Sequence, residues 1–279
     1  KFYITMDIST ADVVKLRKAT GAGMMDCKNA LAEAEGNFDR AIEIIREKGK
    51  LVASKRADRE SSEGVVLAKV SADKTFGAVI SLNCETDFVA KNENFIALTD
   101  KIVEVAIASK SANLDAVKAL QMDGRTIGEQ VMEQTGIIGE KIELPYYDCI
   151  EAAFVVPYIH PGNKLATLVG FSKVVDVQVG KDVAMQIAAM SPVAIDNDDV
   201  AAEIVEQELK IAKEKFRLEG KPEAMLDKIA LGALNKFFKE NTLLNQDFVK
   251  DNKMTIRQYL GSIDKDLKVT AFKRFTLNV

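Results

Sequence analysis

His160 is the single histidine of the chain, and no nucleophile or acid stands near it in a pattern that would make it a general base. A lone histidine in such a setting is expected to be a surface contact or a hydrogen-bonded structural residue. Cys27, Cys84 and Cys149 are widely spaced and odd in number, with no CxxC pair among them. Neither a zinc site nor a disulfide framework is expected from that spacing, and reduced thiols in a cytoplasmic protein are. The stretch "TGAGMM" contains a GxG, but no strand precedes it and no third glycine follows at the interval that a dinucleotide loop needs. Its glycines read better as the stop of one helix and the restart of another. No GxxxxGK[ST] loop is present, and the acidic residues are scattered among basic ones without metal-ligand or paired-carboxylate spacing. The residue types therefore point away from covalent chemistry, and neither a cofactor nor a metal is expected.

Apolar groups in unusual places are the stronger signal. Asn83 to Asn92 reads "NCETDFVAKN" and connects the apolar run "FGAVISL" to the helix-patterned "ENFIALTDKIVEVAIA". Asp87, Phe88 and Val89 thus fall in a turn between two well-patterned elements. Phe88 either folds back into the core or offers itself to a partner. Met24 and Met25 raise the same question, because neighbours on a helix point in different directions and both cannot enter a small core. Methionine is a gap filler and also a pliable contact surface.

The elements that carry these residues can be read from periodicity and punctuation. "STADVVKLRKATG" opens at Ser9 or Thr10, places Val13, Val14 and Leu16 on one face, and stops at Gly21. "GMMDCKNALAEAEG" carries Met24, Cys27, Leu31 and Ala34 along a stripe to Gly36, and "NFDRAIEIIREKG" carries Phe38, Ala41, Ile42 and Ile45, with Gly49 as its expected end. After the polar "RESSEG", two apolar runs around "SADKT" predict a hairpin, followed by a helix over about 94–110. "EAAFVVPYIH" and "LATLVGFSK" around "PGNK", then "KDVAMQIAAMS" closed by Pro192, repeat that grammar, with Val79 and Val169 in comparable places 90 residues apart. Val205, Leu209, Ala212 and Phe216, then Leu226, Ala230, Ala233 and Phe237, form a heptad seam on two arms that turn at Gly220 and Pro222. An antiparallel coiled-coil hairpin or a buried helix pair satisfies that pattern. The final "KVTAFKRFTLNV" alternates as a strand expected to rejoin the second sheet. The fold class is α+β: an N-terminal three-helix bundle with its linker over 1–58, and a duplicated antiparallel-sheet core. Its halves are expected over 59–140 and 141–279, the second with an insertion at about 196–245.

A chain of 279 residues with 47% hydrophobic and 29% charged residues has an ordinary globular composition. Thirty-eight basic residues against 42 acidic ones give a net charge of −4, without the basic excess of a general nucleic-acid binder, so no direct nucleic-acid partner is expected. The longest apolar runs carry a glutamate or proline and fall short of a membrane span, so no membrane partner is expected either. "KFYITM" lacks a signal-peptide layout, and Met6 is a candidate start with a leader before it.

Leu16 to Leu31, "LRKATGAGMMDCKNAL", and Leu82 to Asn92, "LNCETDFVAKN", closely resemble the two signature stretches of bacterial elongation factor Ts, in that family's order and separation. The resemblance runs over essentially the whole chain to the final strand. It implies a guanine nucleotide exchange factor, not an enzyme of covalent chemistry, acting on GDP-bound and nucleotide-free elongation factor Tu. The positions matching Asp87, Phe88 and Val89 would push between two helices of the GTPase domain and disturb its magnesium site and phosphate loop. Ile138 and Gly139 match positions lining the same intrusion. Arg17, Met24 and Met25 match the N-terminal grip on another part of that domain, and His160 in "YIHPG" matches a contact to a different domain. The family often carries a C-terminal helix past the last strand, whereas this sequence ends at Val279, and Glu85 stands where glutamine is also common. The N-terminal bundle also resembles ubiquitin-associated domains, so a non-catalytic docking module is the alternative reading.

Overall fold

The computed structural model describes residues 8–277, so the expectation about Met6 and a leader lies outside the described residues. The chain divides into two compact units, residues 1–66 with 80–147, and residues 67–79 with 148–279. Helices combine with antiparallel sheet pairings, an α+β fold.

The first unit begins with α1 (Thr10–Thr20), α2 (Met24–Glu33) and α3 (Phe38–Lys55). Ser9 caps α1 by accepting the Asp12 N–H, and Asn37 caps α3 by accepting the Arg40 N–H. Gly21 ends α1 in the left-handed region, φ 74°, its N–H bonded to the Arg17 carbonyl at 2.7 Å. Val13, Leu16, Cys27, Ala30, Leu31, Ala34, Ala41 and Ile44 close a small core. Val14 and Met24, expected on its apolar faces, are exposed instead, and Ala30 and Ile44 take buried places that were not expected. The core is simply narrower than the apolar stripes that surround it.

Gly49 does not end its helix. α3 continues to Lys55, and Gly49 is buried within it. The reason lies 87 residues along the chain. After β1 (Glu63–Val70), β2 (Phe76–Cys84), α4 (Asp87–Ala90), α5 (Glu93–Ala108), α6 (Leu114–Ala119) and the short β3 (Gln121–Met122) and β4 (Arg125–Thr126) comes α7 (Ile127–Ile138). There Gly136 meets Gly49 backbone to backbone. A Cβ added at Gly136 would fall well inside van der Waals distance of the Gly49 Cα, whereas one at Gly49 would stand an ordinary 3.7 Å from the Gly136 Cα. α5 sends Phe95, Thr99, Ile102, Val103 and Ala106 inward. In the sheet, β2 lies between β1 and β5 (Glu143–Glu151) and is buried along its whole length.

In the second unit β7 (Leu165–Phe171) pairs antiparallel with β6 (Phe154–Ile159) on one side and with β10 (Val269–Thr276) on the other. The last strand thus rejoins the sheet as its alternation implied. α8 (Val177–Met190) packs on this sheet and starts four residues before the expected "KDVAMQIAAMS". Gly180 lies inside α8, where a Cβ would collide with Val156 of β6. α9 (Ala202–Leu218) and α10 (Glu223–Asn241) turn at Gly220, φ 78°, and Pro222, and are joined by ion pairs from Arg217 to Glu223 and from Lys213 to Asp227. Ala212 of α9 and Leu226, Ala230 and Leu234 of α10 are buried; Leu234 takes the place expected for its half-buried neighbour Ala233. β8 (Asp247–Phe248), β9 (Asp251–Thr255) and α11 (Ile256–Ile263) complete a core centred on Phe171, Val183, Ile187 and Leu243.

Two alanine substitutions should differ in sign. Alanine is favoured over glycine inside a helix by about 0.8–1.0 kcal/mol, whereas forced overpacking costs about 1–3 kcal/mol. Gly136→Ala should lower the unfolding free energy. Gly232→Ala in α10, where an added Cβ meets nothing within 4 Å, should raise it. Denaturant titration of both variants checks the pair.

Candidate functional site

The "TDFV" stretch is a helical turn, not a loop. Thr86 is the N-cap of α4, and its hydroxyl accepts the Val89 N–H at 3.5 Å, a long bond. Asp87 sits in the first turn, where a carboxylate favours the helix dipole, and its Oδ2 accepts from Lys91 Nζ at 2.6 Å one turn later. That pairing raises the Lys91 pKa above its usual value. Asn92 then caps α5 by accepting the Asn94 N–H at 2.9 Å. Two capped helices in immediate succession leave no slack in the connection. Phe88 projects from it with 84% of its surface exposed, so it does not fold back into the core. Val89 is half-buried and Ala90 is buried.

α7 supplies the second wall. A capping box between Thr126 and Glu129 starts it, and Gly139 ends it at φ 81°, with its N–H bonded to the Thr135 carbonyl at 3.0 Å. Nothing lies within 4 Å of where a Gly139 Cβ would be, so the left-handed backbone, not crowding, calls for glycine here. Val89, Ile138, Phe95, Leu98 and Gly21 line one cavity of about 370 Å³. Gly21 belongs to the α1–α2 turn, and a Cβ on it would stand 3.7 Å from the Ile137 side chain. That turn is flanked by Arg17, exposed on the last turn of α1, and by Met24 and Met25 at the start of α2, 37% and 65% exposed. The same unit therefore carries Phe88, Val89, Ile138, Gly139 and the α1–α2 corner. His160 belongs to the other unit, exposed at the β6–β7 turn, where its N–H bonds to the Leu165 carbonyl at 2.8 Å and its Nδ1 lies 3.0 Å from the Tyr158 hydroxyl.

Residues that sequence reasoning left out hold this surface from below. Cys84 donates its S–H to the Thr86 carbonyl at 3.2 Å, and burial, with the Glu140 carboxylate adding to it, pushes the thiol up to about 12. Glu140 accepts the Thr86 hydroxyl at 2.6 Å, and Glu85 pairs with Arg56 at 2.8 Å and Arg59 at 3.1 Å. Burial alone would push the Glu85 carboxyl up, but the Lys141 backbone N–H and the two guanidinium groups outweigh it and hold the group below the usual carboxylate range. Thr86 carried a local signal, a cap residue ahead of a first-turn aspartate, that the turn reading passed over. Glu140 carried none, because its partners are more than 50 positions away.

Among the described residues no group of three or more His, Cys, Asp and Glu side chains could hold a metal ion, and no helix is long and apolar enough to cross a membrane. The arrangement brings together an exposed aromatic on a capped turn, a cavity beside it, and a methionine-bearing corner. The profile of a family described as "Elongation factor TS" matches residues 85–279. The elongation factor Ts of Porphyromonas gingivalis is 54% identical over 275 residues, covering 98% of this chain and 99% of that protein. Those of Azobacteroides pseudotrichonymphae and Flavobacterium psychrophilum are 53% and 51% identical, covering 98% and 97% of this chain and 100% and 98% of their own length. The chain belongs to the elongation factor Ts family.

Two consequences follow from the buried groups. A carboxylate whose folded pKa is lowered contributes stability that is present above its unfolded pKa and lost as pH falls through the folded value. Replacing Glu85 by Gln should therefore lower the unfolding free energy at pH 7 by about 1–3 kcal/mol, the worth of bonds to charged groups. The deficit should vanish in acid below the ordinary carboxylate range, as urea titrations across pH would show. Cys27 and Cys84, both buried with raised thiol pKa values, should resist a thiol reagent at pH 8 until denaturant is added.

Proposed function

We propose that this chain is a guanine nucleotide exchange factor for the translational GTPase elongation factor Tu, a binding protein that accelerates GDP release without covalent chemistry. The general role follows from the family. The finer reading is that α4 enters between two helices of the GTPase domain and disturbs the magnesium and phosphate-loop site. The observation that carries it is Phe88, 84% exposed on a turn that is capped, ion-paired and held from below. A residue of that size left in water on a rigid mount is suited to a pocket in a partner.

The thermodynamic requirement is modest. An exchange factor must bind the nucleotide-free partner more tightly than the GDP-bound one, and by reciprocity its binding then weakens GDP. Burial of a phenylalanine supplies about 1.5–3 kcal/mol. Asp87 is engaged with Lys91 at the surface, where an ion pair contributes little and is readily exchanged for another. Ile138 and Gly139 border the intrusion. Arg17, Met24 and Met25 grip a second part of the GTPase domain, and His160 reaches a further domain. In this reading α1–α3 is the ubiquitin-associated-like bundle, the two sheet-bearing halves form the duplicated core, and α9 with α10 forms the coiled-coil insertion. A docking module built on the bundle alone fits less well, because the Gly49–Gly136 crossing makes the bundle part of the unit that carries Phe88.

Stopped-flow release of fluorescent GDP from elongation factor Tu tests this reading. The wild-type chain should accelerate release strongly. Phe88→Ala should fold normally, since exposed substitutions stay within about 0.5 kcal/mol, and should slow release about tenfold or more, each 1.4 kcal/mol being tenfold. An unfolded variant, or undiminished release, would count against the wedge.

A further inference from the structure

Beneath α4 two carboxylates cross. Glu140 Oε2 accepts the backbone N–H groups of Glu85 at 3.1 Å and Thr86 at 3.0 Å, while its Oε1 accepts the Thr86 hydroxyl at 2.6 Å. In the opposite direction Glu85 Oε1 accepts the backbone N–H of Lys141 at 2.6 Å. Each acid therefore binds the main chain at or beside the other's position. Arg56 and Arg59, at the end of α3 and just past it, close on the same Glu85 carboxylate. The arrangement is additional to the local end signals, since Gly139 terminates α7 and Thr86 caps α4.

We propose that Glu140 and Glu85 form a crossed clamp that presets the spacing between Phe88 and the Ile138–Gly139 corner, making both acids positioning residues for nucleotide release. The proposal rests on the exchange reading above. α4 has only four residues, and one turn of helix does not hold itself in water. Its geometry must come from bonds made outside it. By donating its O–H to Glu140, Thr86 keeps its hydroxyl lone pairs available for the α4 N–H groups, so a single carboxylate supports both the cap and the chain leading to it. Without the clamp Phe88 would have to be ordered while it enters its partner, and that conformational entropy would be charged to the step that expels GDP. The grip made by the α1–α2 corner would be untouched. Loss of the clamp should thus lower the maximal release rate and leave the half-saturating concentration nearly unchanged.

The experiment uses the full chain with Glu140→Ala, Glu140→Gln, Phe88→Ala and the Glu140→Ala/Phe88→Ala pair. GDP release from elongation factor Tu is read by stopped flow, and amide hydrogen exchange of Val89 to Lys91 is read in the free protein. Glu140→Ala should slow maximal release about five- to thirtyfold, speed exchange of those amides, and lower the thermal midpoint by a few degrees while the chain stays folded at the assay temperature. Glu140→Gln, which keeps an acceptor oxygen, should recover part of both. The double variant should be no slower than Phe88→Ala alone, since Glu140 acts through Phe88. Unaltered amide protection in Glu140→Ala, or additive losses in the double variant, overturns the clamp. A slow Phe88→Ala beside an undiminished Glu140→Ala overturns the clamp and leaves the wedge standing. An undiminished Phe88→Ala overturns the wedge, and the clamp's functional role with it, whereas a wild-type chain that fails to accelerate release overturns the exchange reading itself.

Discussion

The crossing of α3 and α7 at Gly49 and Gly136 is the constraint on which the working surface depends. Two backbones approach so closely there that one of them tolerates no side chain. Such a contact has little freedom to slide or tilt, because the residues flanking Gly49 and Gly136 carry Cβ atoms that would have to be displaced. The crossing lies on the last turn of α7, two residues before Ile138 and three before Gly139. On the α3 side it lies in the middle of a helix that begins in the bundle core and ends at Lys55, beside Arg56. A bundle of three short helices is too small to be strongly stable by itself. Docked through this crossing, it places its α1–α2 corner against Ile137 and on the rim of the cavity shared with Val89.

From that crossing the order passes outward through polar bonds. α7 ends at Gly139, and the next residue, Glu140, turns back to hold the chain leading into α4. Glu85, at the start of that chain, is held in turn by Arg56. Apolar packing thus sets the position of the helices, and charge-assisted hydrogen bonds carry it to the one turn that packing does not reach. The division of labour is physically reasonable. A surface meant for a partner cannot be fixed by burying it, so it has to be fixed from its polar underside, where bonds to charged groups are worth more than neutral ones.

The order and type of the main elements were legible because each depends on local information. Ser9 and Asn37 announce helix starts by their capping chemistry, and the alternation of "KVTAFKRF" announces a strand, whereas α7, with its Thr126 cap, was not read. What escaped local reading was the role of glycine inside a pattern. Gly49 looks like a stop and Gly180 lies just before the expected helix, yet both lie within helices, where the missing Cβ lets another backbone or the Val156 side chain come close. That distinction is set by a partner far along the chain, which periodicity does not contain. Burial by stripe failed for a related reason: Met24 and Val14 lie on apolar faces but beyond the edge of a narrow core. The site divided in the same way. Phe88 and the methionine pair were conspicuous as apolar residues out of place, whereas Glu140 is one acid among 42 charged alike.

The exposure of Phe88 bears on how such a surface can be tolerated. A single apolar side chain in water is ordinary, and only contiguous apolar patches invite indiscriminate association. Around Phe88 the neighbours are Asp87, Lys91 and Glu85, each charged and each paired within its own unit. The turn is therefore apolar at one point and ionic around its foot. A pocket that received Phe88 without answering those charges would leave them desolvated and mismatched, and the loss would exceed what one aromatic ring contributes. In the proposed contact the ring would supply the free energy, and the ionic foot would restrict which partner can claim it.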